Sequence, residues 1–109
     1  MKGDGVSIVT ASVVLHDREK AVEVGQSVLR SQLAAGYNLF PVESAFWWKG
    51  EILQGDEFMV LFKTTARLVD ALVGRVVEMT GAEVPDVFVS ESSHVDERYR
   101  AWVEAGAKG

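Results

Sequence analysis

The 109-residue chain is 48% hydrophobic and 25% charged, with a net charge of −5 and no cysteine. Such a composition is that of an ordinary globular protein, and the length suits one core without staples, so a single domain over 1–109 is expected. The missing cysteine excludes a disulfide framework, a thiolate metal cluster and a cysteine nucleophile, and the acidic balance, with no basic cluster on any one face, argues against nucleic acid.

The opening segment MKGDGVSIVTASVVL carries an apolar run broken by Asp4, Thr10 and Ser12, so a signal peptide is not expected and the cytoplasm is the default compartment. No apolar run reaches the roughly 20 residues that a membrane helix needs. Val6 to Leu15 is rich in β-branched residues and reads as a buried, central strand. His16 and Asp17 end it, and Asp17 is placed to accept a hydrogen bond from the first turn of a helix. From Arg18 to Ala35, Ala21, Val24, Val28, Leu29 and Leu33 recur at helical spacing, with Gly36 at the position of a left-handed cap.

Tyr37 to Trp48 alternates as a strand, with Pro41 suited to an edge or a bulge. The continuation EILQGDEFMVLFKTT returns as a second strand from Glu57 to Lys63, with the turn at either Gly50 or Gly55. A two-stranded ribbon is marginal in water, so this hairpin requires further strands or helices against it. Thr64 or Thr65 then caps a helix whose buried stripe is Leu68, Leu72, Val73, Val76 and Val77, ending near Thr80 and Gly81. VFVS at 87–90 reads as a strand, and a last helix places Tyr99, Trp102 and Val103 on one face. The order βαββαβ plus a C-terminal helix is that of an α+β, ferredoxin-like sandwich. Two helices cover one sheet face; the other, with Trp47 or Trp48, is left bare in a monomer, and a large bare apolar patch marks an interface.

The segments VTAS (Val9–Ser12), SQLAAGYNLFPVESAFWWKGE (Ser31–Glu51), FKTT (Phe62–Thr65), EVPD (Glu83–Asp86) and YRAW (Tyr99–Trp102), in this order and spacing, resemble the CutA family of divalent-cation tolerance proteins. The resemblance implies a homotrimer built like the PII signalling proteins, with long hairpins pairing between subunits. It also implies a binding role, with copper or zinc as the expected divalent ion and an unidentified protein partner as a further possibility. Two departures bear on the metal: Gly36 stands where the family commonly has a cysteine, and Thr80, Gly81 and Ala82 where it has His-Pro-Tyr. Thiolate and imidazole select soft and borderline ions, whereas carboxylates alone favour harder ones.

His16 and His94 are the only histidines, and neither has a partner at helical or hairpin spacing, so capping or loop roles are the simpler reading. His16 is a candidate metal ligand with Glu83 or Asp86 if the strand ends meet. Trp48, Lys49, Lys63 and Glu83 are candidates for an inter-subunit ligand cleft, weighed against packing for the tryptophan and surface ion pairs for the charges. Glu83 is also the acid that the family motif retains. The sequence has no Walker-type phosphate loop, no HExxH and no recognisable nucleophile–histidine–acid order, so an enzyme is not expected. Three readings follow: a trimeric binder of a metal ion or small ligand, a PII-like sensor of an anionic metabolite, and a purely structural trimer.

Overall fold

The computed structural model describes residues 7–109. Four strands, β1 (Ile8–Leu15), β2 (Gly36–Trp48), β3 (Glu51–Thr65) and β4 (Val87–Glu91), form one antiparallel sheet in the order β2-β3-β1-β4. Among the described residues three α-helices accompany them: α1 (Arg18–Arg30), α2 (Val69–Thr80) and α3 (Glu97–Gly106). The expected ferredoxin-like order with an added C-terminal helix is therefore present. The start of β1 expected at Val6 lies outside the described residues.

Strand alternation sends Ala11, Val13 and Leu15 to one face, where they meet Ala21, Val24 and Val28 of α1 and Leu72 and Val76 of α2. Val60 and Phe62 of β3 join them with no solvent exposure. Residues of the opposite parity begin with Ile8, which packs with Leu68, Val103 and Ala107, so α3 covers the Ile8 end of the second face. Trp102 of α3 also lies over Gly36, whose absent Cβ would stand 3.0 Å from the indole. The rest of that face stays open, with Phe88 of β4 75% exposed.

Three local expectations are corrected. Helix α1 stops at Arg30, not Ala35, because Gln32 adopts φ 58° and the amides of Gln32 and Leu33 donate to the carbonyls of Leu29 and Val28. This paired closure satisfies the last carbonyls and frees Gly36 to begin β2. Thr65 precedes a 3-10 turn (Ala66–Leu68) without a side-chain capping bond, and its buried Oγ1 has no hydrogen-bond partner among the described residues. Val77 is exposed, and the stripe of α2 narrows to Leu72 and Val76 with Leu68 just before it. Asp17 does cap α1, accepting from the Lys20 amide at 3.2 Å.

Thr64 is fully buried and donates from Oγ1 to the Leu33 carbonyl at 2.7 Å, tying β3 to the segment after α1. Thr64→Val keeps the shape but leaves that carbonyl unpaired. The expected loss is about 1–3 kcal/mol in urea unfolding, without a change in the slope of the transition.

The hairpin turn is Lys49–Gly50, not Gly55. Both residues have positive φ (50° and 84°), and Trp48 pairs directly with Glu51. A two-residue turn of this hand matches the twist of the strands, and glycine takes the second position without a Cβ penalty. Gly55 lies inside β3 opposite Ser44. Strand β1 pairs with β3 only as far as Phe58, so Glu51–Glu57 is bonded to β2 alone and projects as a ribbon. The molecule is accordingly long, 46 × 26 × 21 Å.

Candidate functional site

Where the ribbon leaves the sheet, three chain segments converge. Leu15 ends β1 opposite Phe58, which places His16 beside Glu57, and the Val14 amide donates to the Asp86 carbonyl at 3.2 Å, bringing in the entrance to β4. His16 Nδ1 lies 2.7 Å from Glu57 Oε2. The histidine is largely exposed, whereas Glu57 is only 6% exposed. A buried carboxylate needs a polar partner to offset its lost hydration, and His16 is placed to be it.

An open cleft of about 670 Å³ occupies this corner. Phe46, Trp48 and Leu53 come from the ribbon, on the side that register assigns to Glu57, since Val42 faces Glu57 and Phe46 faces Leu53. Glu83, Val84 and Pro85 close it from the link after α2, which is turned by Gly81 at φ 66°. The cleft is lined by three carboxylates, Glu57, Glu83 and Asp86, and by no lysine or arginine among the described residues.

The Asp86 carboxyl is held above the usual aspartate range, first by burial and then by the neighbouring Glu57 charge, with His16 acting the other way. An acid whose pKa is raised by folding costs stability once ionised; the cost is absent below the unfolded pKa and complete above the folded one. Asp86→Asn is therefore expected to raise the melting temperature at about pH 7 and to leave it unchanged at about pH 3, as read by thermal unfolding across that range.

Of the residues singled out by sequence, Trp48, Glu83, His16 and Asp86 line this one cleft. Lys49 stands at its rim in the turn, its Nζ 5.5 Å from the centre of the Trp48 ring. Lys63 is elsewhere. It pairs across the sheet with Thr10 and Gly36, hydrogen-bonds Asn38, and borders a separate groove with Ser92, His94 and Tyr99. Burial lowers its pKa. Glu57 was not anticipated. Its signal is a charged residue in register with Met59 and Leu61 at the head of the FMVLF run.

One imidazole and several carboxylates are donors for a borderline or hard divalent ion. Among the described residues, however, no group of three or more His, Asp or Glu side chains converges to hold a metal ion. The candidate set His16, Glu83 and Asp86 is thus brought to one cleft without forming a coordination sphere within one chain. No described helix is long and apolar enough to cross a membrane.

Comparison with known proteins matches this fold and these segments to one group. The family model described as CutA1 divalent ion tolerance protein covers residues 9–106. The divalent-cation tolerance protein CutA of Thermotoga maritima is 34% identical over 87 residues, 80% of this chain and 86% of that protein. Among solved structures, CutA1 from Oryza sativa superposes with a TM-score of 0.89 at 26% identity, covering 94% of this chain and 95% of that one. The periplasmic divalent cation tolerance protein CutA of Archaeoglobus fulgidus superposes with a TM-score of 0.89 at 23% identity, covering 93% and 99%. The family match over nearly all of the chain, with the sheet order and the projecting hairpin it accompanies, establishes that the chain belongs to the CutA1 divalent ion tolerance family.

Proposed function

We propose that the protein is a non-enzymatic homotrimer, acting in the cytoplasm in divalent-cation tolerance by binding a metal ion or small ligand in clefts between subunits. The observation that carries this reading is the two-stranded ribbon Val42–Glu57. Among the described residues no third strand pairs with it, and Trp47 and Ile52 at its tip are 71% and 60% exposed. A bare ribbon of this kind is an aggregation hazard unless another copy covers it. The open outer edge of β4 and the bare Phe88 provide surface for such a copy.

The binding residues in this reading are Trp48, Glu83, His16 and Asp86, with Glu57 added and Lys49 at the rim; a neighbouring subunit supplies the donors that one chain lacks. Lys63, at the other end of β3, is not part of this cleft. The sensor of an anionic metabolite finds little support in a lining of three acids with one histidine and no described lysine or arginine.

Titration calorimetry with copper, zinc and a nucleotide panel tests the proposal. A metal response is expected, weakened at least tenfold by Glu83→Ala. No heat with any of these would leave a purely structural trimer.

A further inference from the structure

We propose that the cleft under the ribbon receives a small organic cation, an alkyl ammonium or guanidinium, with Glu57 as its buried counter-charge and Trp48 as its aromatic wall. The inference rests on the reading that this cleft is the ligand site, and it names the ligand class.

Four observations lead to it. The cleft, at about 670 Å³, is of the size that encloses an organic molecule and far exceeds a bare ion. Its lining carries three acids, Glu57, Glu83 and Asp86, against the single histidine His16, with Lys49 at the rim, so the balance of charge favours a cation over an anion. Its walls include Phe46, Trp48 and Leu53, whose apolar and aromatic side chains suit the alkyl stem of such a ligand and its charged end. The Lys49 ammonium, 5.5 Å from the centre of the Trp48 ring, shows that this ring accepts a cation, and a bound ligand would take its place or use the other face. Within one chain no three donors converge on a metal ion among the described residues. Ammonium and guanidinium groups need no closed coordination sphere. They need a few carboxylate acceptors and a ring, which is what this corner holds.

The location of Glu57 strengthens the assignment. A carboxylate 6% exposed, with an exposed histidine as its partner, retains a strong acceptor that a cation entering the cleft can share. Glu83 lies exposed on the link after α2 and is placed to meet the other end of a dibasic ligand.

The test is calorimetry and tryptophan fluorescence on the full chain in its solution assembly, with spermidine and agmatine as probes and citrate, AMP and zinc chloride as comparisons. Spermidine or agmatine is expected to bind and quench the tryptophan signal. Trp48→Leu and Glu83→Gln are each expected to raise Kd by about fivefold to tenfold. Because Trp48 lies in the ribbon, Glu83→Gln, on an exposed link, is the variant that remains decisive if Trp48→Leu fails to assemble. Equal binding of citrate or AMP overturns the inference. Heat from zinc alone overturns it while leaving the cleft as a ligand site. No response to any probe, with the cleft filled by a neighbouring subunit, overturns both.

Discussion

Phe62→Ala is expected to cost about 3–5 kcal/mol of folding stability. Phe62 has no solvent exposure and sits on β3, in the middle of the sheet, against α1 and α2. Its ring also meets Tyr37 edge-on at 5.9 Å between centroids. Truncation removes the transfer term and leaves a cavity that neither the central strand nor the helix pair can close, because both are held by backbone bonding. Domains of this size are stable by about 5–15 kcal/mol, so the loss is a large share of the total. Urea unfolding monitored by circular dichroism measures it. A loss below about 1 kcal/mol would mean that the site relaxes and that this core is not the one described.

The second large effect concerns assembly. The paired substitution Trp47→Arg with Ile52→Glu is expected to weaken subunit association by about 2–4 kcal/mol, at least a thirtyfold rise in the dissociation constant, while the fold persists. The two residues face each other across the ribbon and are largely exposed in one chain, so little folding energy depends on them. Their apolar surface becomes valuable only when covered. The opposite charges do not repel each other across the ribbon within one chain. Light scattering over a dilution series reads the shift. Unchanged association would remove the ribbon from the interface, and unfolding of the variant would show that the ribbon serves its own chain's core.

The contrast between the two predictions follows from what could be read in the residues. Period and composition identify the strands and helices because burial on one side imposes alternation on β1 and a stripe on α1. The hairpin was legible, but its turn was not: two glycines competed, and the choice of Lys49–Gly50 depends on φ values that sequence does not display. The end of α1 was missed for a related reason, since Gln32 holds the left-handed position usually left to glycine.

The candidate site was legible only in part. His16 and Asp86 are remote in sequence and meet because β1 and β4 pair antiparallel. Glu57 was overlooked because a lone acid at a strand entrance looks like solvent-facing punctuation until register shows its neighbours. Within one chain Lys63 stands six residues along the strand from Glu57, roughly 20 Å, so the two side chains of the same chain do not share one small ligand.

Sedimentation equilibrium of the unaltered chain at micromolar concentration tests most directly whether its ribbon is completed by other copies. The account predicts a species of three times the chain mass, dissociating only on extensive dilution. A well-folded single chain across the same range would contradict it.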